Sequence, residues 1–298
     1  QGEKPVEPGI GQVVLTLGDG ESMPLKRDTN RLIFGGTMLQ VRNERGTLVY
    51  SKIKSKEASE KIVYNTLTVP VRERFQLVLA DGTKVFLNSG SEMRYPERFG
   101  KARREVFLKG EAWFEVAKDS AREFWVHAGA MDVKVLGTSF NVKAYERLET
   151  VATTLVEGSV EVACAGKSFQ IVPGEQFVYD KNNRVMDVRM VDTESYVSWK
   201  DGYYKFRQTT LEEIMETLSV WYGLNVFYVN ESAKQVEFTG KVKRYEDARM
   251  LLDKFEQTGD VVFDIKGNNV FITIKQKKPF AREWNSFLVK ARGMVWQS

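Results

Sequence analysis

From residue 12 to about 190, short runs rich in Val, Leu, Phe and Thr alternate with polar positions and are broken by turn chemistry. The breaks read Gly18-Asp19-Gly20, Asp81-Gly82, Asn88-Ser89-Gly90, Glu157-Gly158, Ala165-Gly166, Pro173-Gly174 and Asn182-Asn183. Such pairs supply the positive φ that tight hairpins need, and their spacing of about ten residues predicts an all-β unit, sandwich-like or a β-solenoid. A weak repeat lies inside it: Leu15 to Gly20, followed by Met23 and Leu25, echoes Leu77 to Gly82, followed by Val85 and Leu87. Two strand, Asp-Gly, strand units of equal length predict stacking in one β-layer. The polar stretch 51–60 between them reads as a connecting loop.

After about residue 195 the period changes. Thr210-Leu211-Glu212-Glu213 has the form of a capping box, Leu211, Ile214, Met215 and Leu218 recur at helical spacing, and Gly223 supplies a stop. A second helix is predicted from Ala248, Leu251, Leu252 and Phe255. Strands are predicted at 203–206, 226–229, 236–242, 261–265 and 270–274, giving the order β-α-β-β-α-β-β of a small α+β domain. The expected division is therefore an N-terminal hairpin segment and linker at 1–60, an all-β domain at 61–192, the α+β domain at 196–275, and a tail at 276–298.

Composition narrows the function. With 42% hydrophobic, 28% charged and 12% aromatic residues, the chain is a folded globular protein. Its net charge of +4 resides in the tail, where Lys277, Lys278, Arg282, Lys290 and Arg292 face Glu283 alone. A charge-balanced body offers no footprint for a phosphate backbone, so nucleic acid is not expected as a partner. One cysteine, Cys164, and one histidine, His127, exclude an internal disulfide and a conventional zinc site, and no cofactor motif is present. No apolar run reaches the roughly 18–20 residues of a membrane span. The chain opens at Gln1 without a signal-peptide pattern, as expected of a processed product.

Several groups carry potential chemistry. Glu111, Trp113 and Glu115 share one strand face, suggesting a sugar platform, but at about 3.3 Å per residue the carboxylates stand about 13 Å apart, beyond the roughly 5–9.5 Å of glycoside hydrolysis. That face is expected to be solvated, opposite Ala112, Phe114 and Val116. His127 has no nucleophile beside it in sequence and reads as structural. Gly137-Thr138 reads as a glycine bulge, or as a bond open to an N-to-O acyl shift by the Thr hydroxyl. Cys164 reads as a small apolar filler or an exposed free thiol, and Asn230-Glu231-Ser232 as a weak glycosylation pattern. Trp221 and Tyr222 close the first helix, as core packing or as partner anchors.

Larger motifs follow in order: Leu79-Ala80-Asp81-Gly82-Thr83-Lys84-Val85-Phe86-Leu87-Asn88, Arg94-Tyr95-Pro96, Gly110-Glu111-Ala112-Trp113-Phe114-Glu115-Val116, Val135-Leu136-Gly137-Thr138-Ser139-Phe140-Asn141-Val142, Thr153 to Val160, and Pro173-Gly174-Glu175-Gln176. Over residues 69–190 the chain resembles FecR-family anti-sigma regulators. Trp199-Lys200-Asp201-Gly202 and the domain after it resemble the family's C-terminal module, which is similar to the short N-terminal domain of secretins and TonB-dependent receptors. The resemblance implies the periplasmic part of a single-pass inner-membrane protein without enzymatic turnover. That part would sense the signalling domain of an outer-membrane TonB-dependent transducer, and a cytoplasmic region absent here would hold an extracytoplasmic-function sigma factor. It also raises self-cleavage at Gly137-Thr138. The tail after Ile274 departs from the family pattern. A secreted β-rich carbohydrate-binding protein is the competing reading.

Overall fold

The computed structural model describes residues 11–25, 31–35, 39–44, 47–52, 62–244 and 247–275; the basic tail and most of the 51–60 connector lie outside them. Up to Met190 the regular elements of the described residues are all strands, arranged as two hydrogen-bonded layers that share one long member, Arg104–Glu115.

The first layer runs, edge to edge, Ser22–Leu25, Val13–Thr16, Tyr64–Thr68, Glu92–Pro96, the Arg104 half of the long strand, Phe124–Ala128, Met131–Val135, Val160–Cys164 and Lys167–Ile171. The second runs Arg31–Gly35, Leu39–Glu44, Thr47–Lys52, Phe75–Val78, Lys84–Leu87, the Glu115 half, Ser139–Ala144, Thr150–Glu157, Glu175–Asp180 and Val185–Met190. After the long strand, consecutive pairs of strands alternate between the layers. Period-two patterning gives strands such as Val13–Thr16, Phe124–Ala128 and Val160–Cys164 one buried apolar face, and such faces meet in a single core that includes Leu15, Leu67, Val85, Phe114, Val126, Phe140 and Leu155.

The long strand changes layers at Gly110. Its φ is +104°, and a Cβ there would stand 2.7 Å from the Ser91 Cα, so both the bend and the close approach require glycine.

The sequence repeat is real at atomic level. In one copy the Leu17 amide donates to the Glu21 carbonyl, Gly20 to Leu17, and Glu21 to the Asp19 carboxylate; in the other Leu79 donates to Thr83, Gly82 to Leu79, and Thr83 to Asp81. The expectation of one layer is corrected, since the first hairpin belongs to the first layer and the second hairpin to the second. Gly20 and Gly82 hold φ of +94° and +90°. Beneath the first turn the buried Asn65 accepts from the Gly18 amide, whereas beneath the second an ion pair forms: Arg104, fully buried, places its guanidinium 2.8 Å from the Asp81 carboxylate. The same guanidinium donates to the carbonyls of Ala117 and Arg122.

Residues 203–274 follow the order read from the sequence, with helices Leu211–Tyr222 and Ala248–Glu256, a two-stranded sheet, Tyr203–Thr210 with Glu237–Lys243, and a three-stranded one, Asn225–Tyr228, Asn269–Ile274 and Val261–Lys266. The Thr210 hydroxyl accepts from the Glu213 amide, and Gly223 closes the helix at φ +68°. The Glu213 side chain turns instead toward Arg189 at 3.6 Å. The apolar faces of both helices and both sheets form a second cluster.

Candidate functional site

That second cluster also contains Trp113, with Phe86 and Val156 packed against it, all on the outer face of the second β-layer. The expectation of a solvated face at Glu111, Trp113 and Glu115 is therefore corrected: Glu111 and Trp113 are buried and Glu115 half-buried. Residues more than 80 positions downstream cover it, which local alternation of polar and apolar residues cannot announce.

Glu111 is the centre of this junction. Its carboxylate accepts from the Asn88 amide at 2.7 Å and the Asn141 amide at 2.9 Å. Asn141 in turn accepts from the Trp199 indole at 3.3 Å, which ties the Trp-Lys-Asp-Gly segment to the β-layer. Burial raises the Glu111 carboxyl above the usual carboxylate range, against the opposing pull of Lys143 and the two amides. Two uncharged donors and Lys143, which is opposite on the neighbouring strand but outside ion-pairing distance, do not repay the desolvation of a carboxylate.

The end of the Leu211–Tyr222 helix is hooked by the Asn-Ser-Gly turn. The Ser89 hydroxyl lies 3.2 Å from the Val220 carbonyl and 3.3 Å from that of Trp221, and the Arg72 amide donates to Trp221 at 3.1 Å. These are the last-turn carbonyls that a helix leaves without internal partners. Arg74 donates to the Lys200 carbonyl. Around the rim stand Lys143 with Glu216 at 3.5 Å and Arg189 with Glu213 at 3.6 Å. Between the two faces lies a cavity of about 180 Å³ whose walls include Glu111, Asn141, Trp199, Tyr204 and Phe206.

Other sequence-derived positions fall as follows. Trp221 and Tyr222 are buried in the same cluster, with the Arg244 guanidinium 3.6 Å from the Trp221 ring centre. Thr138 is buried and its hydroxyl donates to the Ser159 carbonyl at 3.1 Å. Gly137 is explained by the Lys118 backbone, 2.9 Å from where a Cβ would sit. His127 stands 2.7 Å from Asp132 and 3.4 Å from Glu105, stacked on Phe107. Cys164 is buried, and burial pushes its thiol up. Asn230 accepts from the Ile274 amide. Among the described residues no group of His, Cys, Asp and Glu could hold a metal ion, and no helix is long and apolar enough to cross a membrane.

The class these features define is a mainly β protein in which the motif residues Asn88, Ser89, Glu111 and Asn141 hold the joint between two hydrophobic clusters. Residues 65–161 match the family model described as FecR protein, and residues 203–272 match the one described as FecR, C-terminal. Together they take in more than half of the chain, which belongs to the FecR family. Two crystal structures of a candidate anti-sigma factor from Parabacteroides distasonis ATCC 8503 are similar. The one at 1.65 Å has a TM-score of 0.64 and 28% identity over 70% of this chain and 98% of its own. The one at 2.50 Å has a TM-score of 0.64 and 27% identity over 71% and 99%. None of the curated proteins compared with the chain matches it. Ser89, Glu111 and Asn141 lie in the first matched segment and Glu216, Val220 and Trp221 in the second, so the joint unites the two.

Proposed function

We propose that the chain is the sensor part of a membrane-anchored anti-sigma factor, located in the periplasm, which relays a signal from an outer-membrane TonB-dependent transducer to an extracytoplasmic-function sigma factor. In this reading residues 61–192 form the FecR-type β-domain and residues 196–275 the module that meets the transducer. Family membership and the anti-sigma neighbour support the regulatory role.

The observation that carries the contact surface is the strand Asn225–Tyr228. It pairs on one side only, with Asn269–Ile274, and among the described residues its other edge is unoccupied. Beside that edge Phe227 is 48% and Val229 62% exposed, and Phe227 stacks on Phe271 with ring centres 5.1 Å apart. An open edge with apolar side chains accepts a partner strand, with main-chain bonds giving affinity and alternate side chains giving specificity. The carbohydrate reading loses its platform, because Trp113 is 4% exposed.

The test is capture from detergent-solubilised outer membrane by the full chain and by its Phe227→Glu variant. Recovery of a TonB-dependent receptor by the parent and loss of it by the variant is the expected pattern. Equal recovery by both moves the contact elsewhere, and recovery by neither removes the relay.

A further inference from the structure

The cavity at the joint is lined by three carboxylates, Glu111, Glu213 and Glu216, and three cations, Lys143, Arg189 and Lys205. Lys143 is matched by Glu216, Arg189 by Glu213, and Lys205 by Asp192 and Glu194. Glu111 alone has no cation within ion-pairing distance among the described residues, and its two hydrogen-bond donors are neutral amides. The carboxylate shares its cavity with the aromatic rings of Trp199, Tyr204 and Phe206. The Ser195 hydroxyl, of a residue that also lines the cavity, is a buried group with no hydrogen-bond partner among the described residues. A lone buried carboxylate beside aromatic faces is the chemistry that recognises an organic cation, by charge-assisted hydrogen bonds on one side and ring quadrupoles on the other. Size agrees, since a cavity of about 150 Å³ admits benzene and this one has about 180 Å³.

We infer that the cavity between the β-layer and the C-terminal part is a binding site for a small organic cation, an ammonium or guanidinium group, with Glu111 as its counter-ion and Trp199 and Tyr204 as its aromatic walls. The cation is supplied either by a free small amine or by a Lys or Arg side chain of a partner; the head group is the same. Occupancy tightens the joint, because the ligand touches both sides of it. This site is separate from the Asn225–Tyr228 edge, and it stands or falls independently of the transducer.

The experiment follows thermal melting of the full chain with propylammonium or methylguanidinium chloride against sodium chloride at equal ionic strength, and with N-acetyl-lysine methylamide for a peptide-borne side chain. A saturable rise in melting temperature beyond that of sodium is expected, with apparent affinity reduced at least tenfold in Glu111→Gln. Response to the small amines alone assigns a free ligand, and response to the lysine amide assigns a partner's side chain. Ala152→Leu, which fills the cavity from the sheet and leaves Glu111 in place, must also abolish the response, so the test survives a poorly folding Glu111→Gln. A response no greater than that to sodium, or one retained in both variants, overturns the inference.

Discussion

The two Asp-Gly turns allow one buried ion pair to be weighed inside a single molecule. Asp19 and Asp81 accept the same backbone bond in the same turn, but Asp19 is exposed whereas Asp81 is 6% exposed and faces a guanidinium with no exposure. Asp19→Ala loses one solvated turn bond, a cost of about 0.5–1 kcal/mol. Asp81→Ala loses that bond, the Thr83 hydroxyl bond at 2.8 Å, and the counter-charge of Arg104. Removing one member of a buried pair costs about 3–5 kcal/mol, because the survivor stays buried and charged. The carbonyls of Ala117 and Arg122 still receive the guanidinium, which favours the lower end of that range. At roughly 2–4 °C per kcal/mol for a body of this size, Asp81→Ala lowers the melting temperature by on the order of 10 °C and Asp19→Ala by about 2 °C. Calorimetry on the two variants side by side reads the difference. Equal shifts would refute the reasoning, since the ion pair would then contribute nothing beyond the turn.

Three further outcomes follow from the joint and the bend. Glu111 has a raised carboxyl in the folded state, so its contribution is complete below the ordinary value near 4.5 and is lost as pH rises through the raised one; urea unfolding from pH 4 to 8 should show that fall in the parent and a flatter profile in Glu111→Gln. Gly110→Ala forces a positive φ and a 2.7 Å contact on Ser91, costing about 1–3 kcal/mol of backbone strain or more in chemical denaturation. Trp199→Phe removes the indole bond to Asn141, worth about 1 kcal/mol, and limited proteolysis should then cut faster between residues 192 and 202 without change in the fragments' own resistance.

Much of the fold was legible because its signals are local. Asp81-Gly82 and Thr210 to Glu213 dictate backbone conformation within four residues, and the helical spacing from Leu211 to Leu218 states which face is apolar. Asn88-Ser89-Gly90 was readable as a turn, but not as the hook for a helix end some 130 positions later. The alternation around Glu111 and Trp113 showed that they share a face and could not show that the face is covered. One sign was available: Trp113 is a large apolar residue on a face otherwise assigned to solvent, and such a residue asks for a cover. Gly110 reads in the sequence as one more glycine in a strand, because its cause is the Ser91 backbone brought alongside by pairing.

The shared strand Arg104–Glu115 has a mechanical consequence. In a stack of two separate sheets only side chains resist sliding, and dispersion contacts yield gradually. Here one covalent backbone belongs to both, flanked by Glu92–Pro96 and Phe124–Ala128 in one layer and by Lys84–Leu87 and Ser139–Ala144 in the other. Displacing one layer along the other therefore loads rows of hydrogen bonds in shear, where they must rupture together instead of unzipping singly. Tension applied at Trp113, where the C-terminal part rests, reaches the far layer through peptide bonds, with no slack to take up on the way.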